Sequence, residues 1–155
     1  RMSSGNQPST GGDDDAVGLR LAELAANLER ELQDVASLER EDLGRGSWVL
    51  TPNDQGAVGV AWIDWGDALH LEVLGGHGGR WELGRDDSDL AFLIDVVEAV
   101  VEGRVTETFG DRRSRVTVTM PDGSTESETG SGPGGSLPRP FWTRRGRVVH
   151  YSAYR

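Results

Sequence analysis

The chain has 155 residues, 35% of them hydrophobic, which is enough for one packed core and too few for two. Its formal net charge of −10 disfavours binding of the whole molecule to a phosphate backbone or an anionic membrane surface. The lack of cysteine excludes disulfides, thiolate nucleophiles and zinc sites built on sulfur. Since no apolar run can cross a bilayer and no secretory signal is visible, we expect a cytoplasmic domain with no membrane partner.

The first part of the chain predicts a tail and then an amphipathic helix. Residues 1–12 offer little apolar surface to bury, so we expect a disordered tail before a single domain at 13–155. Asp13 to Asp15 supply the negative charge that a helix start favours, and apolar residues follow at spacings of three and four up to Leu38. We predict a helix that ends near Leu43 and Gly44. Its outer face would carry the carboxylates of Glu23, Glu29, Glu31, Asp34, Glu39 and Glu41.

The middle of the chain changes from helical to strand periodicity. From 47 to 83, apolar side chains alternate with polar ones, and Gly and Asx residues mark the turns, which predicts an antiparallel meander. Asp86 to Ser88 can then cap a second helix, which has an apolar stripe from Leu90 to Val101 and ends at Gly103.

The last third of the sequence returns to strand periodicity. We predict strands at 105–109, 115–120, 124–129 and 147–154, with a flexible Gly/Ser/Pro loop at 130–140. The order of elements predicts an α+β fold in which the helices pack on one face of an antiparallel sheet.

A glycine cluster, Gly75 to Gly79 around His77, is the first candidate for chemistry. Clustered backbone N–H groups can bind an anion, but a phosphate loop should open a helix, and this loop joins two strands. We therefore favour a plain hairpin. A small-ligand enzyme or sensor that uses this loop with His70 and Glu72 is the alternative, and Glu82 and Arg80 fall on the same polar sheet face. Cross-strand ion pairs explain that face more simply.

Metal and cofactor sites are not indicated. The three histidines, at 70, 77 and 150, have no metal-ligand spacing, and no calcium-loop pattern occurs. Asp86, Asp87 and Asp89 are explained by their place at a helix start. We expect no cofactor, no metal and no catalytic residue.

The charge is unevenly distributed along the chain. Through Gly110 there are 8 Arg against 22 acidic residues, and from Asp111 onward there are 8 Arg against 4. In the basic part, Arg144, Arg145 and Arg147 follow Phe141 and Trp142, a combination that single-stranded nucleic-acid binders use. A nucleic-acid module is thus a further alternative, which we disfavour because the surrounding domain is acidic.

These patterns favour a non-enzymatic module whose acidic helical face binds a basic partner protein, since complementary charge speeds encounter and selects partners. Immunity proteins and antitoxins that inhibit a basic toxin or secreted effector act in this way. The order of elements is also similar to that of compact secretion chaperones. The expected contact residues are three carboxylates and two tryptophans near turns: Glu31, Asp34, Glu41, Trp65 and Trp142. The sequence leaves the oligomeric state open.

Overall fold

A computed structural model describes residues 11–133, 135 and 139–155 of the chain. Its helices are α1 (Gly11–Leu32), α2 (Asp87–Val101) and the short α3 (Trp142–Arg145). Its strands are β1 (Ala36–Glu41), β2 (Gly46–Pro52), β3 (Val60–Asp64), β4 (Leu69–Val73), β5 (Arg80–Leu83), β6 (Val105–Gly110), β7 (Arg113–Thr119), β8 (Thr125–Ser131) and β9 (Arg147–His150).

The strands form two antiparallel sheets. The α+β class is confirmed, but the strands do not form the single sheet that we expected. One sheet has five strands in the order β1-β2-β3-β4-β5, and the other has four in the order β8-β7-β6-β9. The five-stranded sheet is the predicted meander preceded by one extra strand, β1. The connection from β8 to β9 places the last strand beside β6, so β9 forms one edge of the four-stranded sheet.

Strand alternation builds one core from both helices and both sheets. Trp48, Trp62 and Leu71 are cross-strand neighbours on the inner face of the five-stranded sheet, and the rings of Trp48 and Trp62 stack at 6.1 Å. Residues three and four apart along α1 belong to the same core cluster, as do six residues of α2. The phenol of Tyr154 donates a 2.7 Å hydrogen bond to the carbonyl of Val58, which fastens the end of the chain to this core.

The predicted end of the first helix is wrong by eleven residues. The helix ends at Leu32, and the segment that we assigned to its last turns is the edge strand β1. Leu38 lies opposite Leu50 of β2, so the residue that continued the leucine spacing is instead a half-buried strand position. Sheet pairing outweighs the helical propensity of this Leu, Glu and Arg segment, because propensity differences are only tenths of a kcal/mol per residue.

The second helix confirms its prediction at both ends. Asp86 is the N-cap, and its side chain accepts a 2.8 Å hydrogen bond from the backbone N–H of Asp89. Gly103 follows the C-terminus with a φ of +73°, in the left-handed region that favours glycine. Leu90, Leu93 and four other residues of the predicted stripe region are buried.

The C-terminal strands are confirmed with shifted bounds. The last strand is shorter than predicted and ends at His150, while β8 runs into the first residues of the predicted loop. The short helix α3 was not predicted. Residues 1–10 of the predicted tail, and 134 and 136–138 of the predicted loop, lie outside the described residues, whereas Gly11 and Gly12 belong to α1.

Candidate functional site

A groove of about 320 Å³ lies between the C-terminal halves of α1 and α2. Residues three and four apart share one side of a helix, so α1 presents a leucine pair and then a glutamate to α2. The apolar side chains that line the groove are Leu24, Leu28 and Val101. Three exposed carboxylates line it as well: Glu31 from α1 and Glu98 and Glu102 from α2. The groove therefore combines apolar surface with a concentrated negative charge, and we refer to it as the acidic groove.

Like charges repel one another across the acidic groove. The pKa of Glu98 is raised above its ordinary value, chiefly by partial burial and then by the neighbouring carboxylates of Asp95 and Glu102. Glu31 of α1 raises it further, while the guanidinium of Arg104 lowers it. That guanidinium lies 2.8 Å from the carboxylate of Glu102. Arg104 thus offsets only part of the repulsion that Glu98 experiences, and the guanidinium of Arg155 donates a hydrogen bond to the backbone carbonyl of Glu31.

The helix dipole adds to this electrostatic cost. The carboxylates of Glu98 and Glu102 lie at the C-terminal end of α2, where the negative end of the dipole disfavours anions and favours cations. The last turn of α2 contains no basic residue. The negative charges at this end of α2 therefore destabilise the helix locally.

The five predicted contact residues do not form one surface. Glu31 lines the acidic groove, but Asp34 lies in the turn after α1, and Glu41 ends the edge strand β1. Our placement of the last two on a helical face is wrong, because the helix stops before them. Trp65, 47% exposed, lies in the β3–β4 turn at the same end of the sheet as Glu41. Trp142 is half-buried in α3, against the four-stranded sheet.

The glycine loop docks onto the four-stranded sheet, and three of its amides are engaged there. The N–H of Gly76 donates to Glu107 Oε2 at 2.8 Å, and the N–H of Gly78 donates to Ser114 Oγ at 2.7 Å. The N–H of Gly79 donates to Glu128 Oε2 at 2.6 Å. These carboxylates occupy the positions that a bound anion would take, so the geometry supports the plain hairpin interpretation of Gly75 to Gly79.

Glu107 is the centre of this docking arrangement and is fully buried. Besides the loop amide, it accepts hydrogen bonds from Ser114 Oγ at 2.6 Å and from the Tyr151 hydroxyl at 2.6 Å. Burial, and then the bond to Glu107, raise the pKa of Tyr151, which keeps the phenol protonated as a donor. Ser114 is also fully buried, so no substrate reaches its hydroxyl. The cluster has the properties of a structural hydrogen-bond network that joins the two sheets.

The alternative site around His70 is an ion-paired sheet face. His70 Nε2 lies 3.9 Å from Glu72 Oε2, and Arg80 Nε lies 3.1 Å from Glu72 Oε1. Glu72 and Arg80 are directly opposite on β4 and β5, as are His70 and Glu82. His77 is exposed on the glycine loop. The arrangement is the cross-strand pairing expected of a half-buried antiparallel sheet.

A buried ion pair lies at the other end of the five-stranded sheet. Arg85 donates from a terminal guanidinium nitrogen to Asp64 Oδ2 at 2.9 Å, and both side chains are less than a tenth exposed. Asp64 Oδ1 accepts a 2.9 Å hydrogen bond from the N–H of Gly66 in the β3–β4 turn. The pair connects that turn to the segment before α2.

Sequence reasoning missed Glu98, Glu102 and Glu107. The first two lie on the polar side of a predicted helix, and no pattern indicated that α1 would lie beside them. Glu107 did leave a signal, because it occupies an apolar-parity position between Val105 and Phe109 in an alternating strand. A charged residue at such a position must have buried hydrogen-bond partners.

The described residues contain neither a metal-binding cluster nor a membrane-spanning helix. No group of three or more His, Cys, Asp or Glu side chains there could hold a metal ion. No helix in that part of the chain has the length and apolar character needed to cross a membrane. No protein-family model, curated protein or solved structure matches the chain.

Proposed function

We propose that the protein binds a basic partner protein through the acidic groove between α1 and α2. The observation that carries this proposal is the set of three exposed carboxylates, Glu31, Glu98 and Glu102, beside an apolar surface. The carboxylates of Glu31 and Glu102 repel that of Glu98, and all three lie near helix C-terminal ends, which is unfavourable for the isolated fold. A lysine or arginine from a partner would relieve that repulsion.

The groove also defines the form of its occupant. The half-buried side chains of Leu24 and Val101 offer apolar surface beside the buried Leu28, which suits one face of an amphipathic helix. Basic residues that flank this face would meet the carboxylates. We therefore propose a basic amphipathic segment of a protein as the ligand. Inhibitors of the immunity or antitoxin type bind basic effectors, and we propose that the protein belongs to that functional class.

A peptide of leucine and lysine with an amphipathic helical pattern tests the proposal directly. Its control is a scrambled peptide of the same composition, which keeps the charge and loses the apolar face. Stopped-flow fluorescence should show that the patterned peptide associates with the protein, and that association slows as salt rises, because screening acts over roughly 10 Å at 0.1 M ionic strength. Equal binding of the scrambled peptide would contradict a groove of defined shape.

The chain supplies a matched control for the charges. The triple variant Glu31→Gln, Glu98→Gln and Glu102→Gln removes the charges of the groove. A second triple variant changes Glu39, Glu41 and Asp42 to their amides and removes equal charge around the end of β1. The first should slow association at least about tenfold, and the second should have a much smaller effect. If both variants slow association equally, the partner responds to net charge, and the proposed site is wrong.

A further inference from the structure

The outer face of the four-stranded sheet differs in charge from the rest of the molecule. Threonine and serine side chains occupy most of its positions, as in the pairs Thr117–Ser127 and Arg115–Thr129, which are joined by hydrogen bonds of 2.9 Å. The charged groups at one end of this face, around α3, are several arginines and Asp111. We call the arginines and aromatic residues of this region the basic face, in which Arg113 is buried. The face consists of Arg113, Arg115, Phe141, Trp142, Arg144 and Arg145.

Aromatic rings and guanidinium groups alternate within the basic face. The guanidinium carbons of Arg113 and Arg115 lie 5.8 and 5.6 Å from the ring centre of Trp142. The guanidinium carbon of Arg144 lies 4.8 Å from the ring centre of Phe141. These are cation–π distances, so each ring lies beside at least one positive charge.

The backbone holds these aromatics in place. Trp142 packs closely on Gly110, where an added Cβ would come within 2.6 Å of the indole ring. Phe141 has a φ of +65°, a left-handed conformation that non-glycine residues seldom adopt, and its side chain is 66% exposed. A large apolar ring is thus exposed to solvent, where it is accessible to a ligand.

Three of the four acids of the C-terminal part of the chain have partners other than Arg144 and Arg145 among the described residues. Glu128 is bound to the amides of Gly79 and Arg80, on the other face of the sheet. Asp122 accepts hydrogen bonds from Ser124 in the β7–β8 turn, and these bonds lower its pKa. Asp111 lies 3.5 Å from Arg139, an ion pair between two exposed side chains.

A pocket of about 330 Å³ adjoins the two rings. It is lined by the rings of Phe141 and Trp142, by three arginines and one acid, and by glycine and proline residues. The charged lining residues are Asp111, Arg113, Arg139 and Arg145. The volume lies at the lower end of the range for small-molecule sites, which suits a single planar ring better than a large ligand. Aromatic walls with guanidinium groups at the edge fit a nucleobase and its phosphate.

We infer that single-stranded nucleic acid binds the basic face. One base would stack on the exposed ring of Phe141, another would enter the pocket beside Trp142, and the phosphates would pair with Arg144 and Arg145. Stacking on exposed aromatics requires bases that are free of a duplex, which selects single strands. The net charge of −10 does not prevent this, because exposed charges beyond roughly 8 Å are largely screened at physiological salt. This site is separate from the acidic groove, so each can fail independently.

Fluorescence anisotropy with a labelled oligonucleotide of about 12 nucleotides tests this inference, with the matching duplex as the comparison. We expect the single strand to bind more tightly than the duplex at about 50 mM salt, with affinity falling as salt rises. Phe141→Ala should weaken binding by roughly five- to 150-fold, the effect of losing one stacked base. Because this ring is exposed, its loss should leave the fold intact, whereas Trp142→Ala alone would be ambiguous.

The contribution of the arginines can be measured from the salt dependence of oligonucleotide binding. Changing Arg144 and Arg145 to alanine should reduce the magnitude of the slope of log K against log salt by about 1.4, or about 0.7 for each phosphate contact. Arg30→Ala on α1 removes an exposed guanidinium elsewhere and should leave the slope unchanged. Trp65→Ala removes a half-exposed aromatic outside the face and should leave affinity unchanged.

Several results would overturn the inference. One is the absence of oligonucleotide binding at low salt, and another is equal affinity for the duplex. A third is an equal loss of affinity in the control and basic-face variants. Binding of polyglutamate, but not of oligonucleotides, with the same dependence on Phe141 and Arg144 would reassign the face to an acidic protein.

Discussion

The hydroxyl of Tyr151, just beyond the last strand, donates a 2.6 Å hydrogen bond to the buried carboxylate of Glu107 on β6. The same carboxylate accepts from Gly76 of the glycine loop and from Ser114 of β7. One side chain therefore joins the end of the chain, the five-stranded sheet and the four-stranded sheet.

Removing this carboxylate should be severely destabilising. Glu107→Ala leaves three buried or half-buried donors without their acceptor, and each unsatisfied donor costs about 1–3 kcal/mol. We expect the free energy of unfolding to fall by roughly 3–5 kcal/mol in urea denaturation. Tyr151→Phe removes one of these bonds and should cost about 1–2 kcal/mol. A Glu107→Ala protein as stable as the wild type would show that the hydrogen bonds of Glu107 have no structural role.

The stability of the protein should depend on the glycines of the glycine loop and not on its histidine. An alanine at Gly78 would place its Cβ 2.5 Å from the carbonyl oxygen of Ser114 and 2.7 Å from that of Glu128. Both obstacles are backbone atoms, so we expect Gly78→Ala to cost more than about 2 kcal/mol of unfolding free energy. His77→Ala, on an exposed side chain of the same loop, should stay within about 0.5 kcal/mol. A loss of partner binding in His77→Ala, at unchanged melting temperature, would instead indicate a functional histidine.

Whether the sequence predicts an element depends on how far apart along the chain the residues that stabilise it lie. The caps of α2 and the alternation of β2 to β5 depend on neighbours within a few residues, and these elements were found from the sequence. The boundary between α1 and β1 depends on Leu38 meeting Leu50, a contact between strands that no local pattern reveals. The same limit applies to the acidic groove, since Glu31 and Glu98 become neighbours only when the two helices pack.

The second helix should behave as a core element. Leu93 is fully buried, and truncating a buried leucine costs about 2–5 kcal/mol. Against a typical stability of about 5–15 kcal/mol, Leu93→Ala should visibly lower the melting temperature. Leu19→Ala is the matched control, because this leucine of α1 is 70% exposed and its truncation should change stability by less than about 0.5 kcal/mol. Equal effects of the two substitutions would show that our assignment of the core is wrong.

The buried pair of Arg85 and Asp64 should be costly to break on one side. Arg85→Met removes the 2.9 Å contact from a carboxylate that is 3% exposed, and we expect a loss of roughly 3–5 kcal/mol. Adding Asp64→Asn to this variant removes the charge while keeping an oxygen that can accept from Gly66 N–H. The double variant should therefore recover part of the lost stability in thermal or urea unfolding. No recovery would mean that the Arg85 stem, and not its charge, provides the stability.

The acidic groove should make stability depend on pH through Glu98. Its pKa is raised in the folded state, by burial first and then by Asp95 and Glu102, so the folded protein holds this proton more tightly than the unfolded chain does. Ionisation of Glu98 therefore opposes folding, and stability is lost as pH rises from the ordinary carboxyl pKa through the raised one.

Replacing this carboxylate by its amide should then stabilise the protein at neutral pH and not in acid. Glutamine has nearly the same helix propensity and removes the like-charge pairs with Asp95 and Glu102, each of which costs about 0.2–0.5 kcal/mol. We expect Glu98→Gln to raise the free energy of unfolding by several tenths of a kcal/mol at about pH 7 and to have no effect at about pH 3, where the wild-type carboxyl is protonated. Glu23→Gln, on an exposed position of α1 outside the groove, is the control and should show a smaller change with pH. Urea denaturation across this pH range measures both variants. A gain for Glu98→Gln that is equal at both pH values would mean that packing, and not charge repulsion in the groove, is its cause.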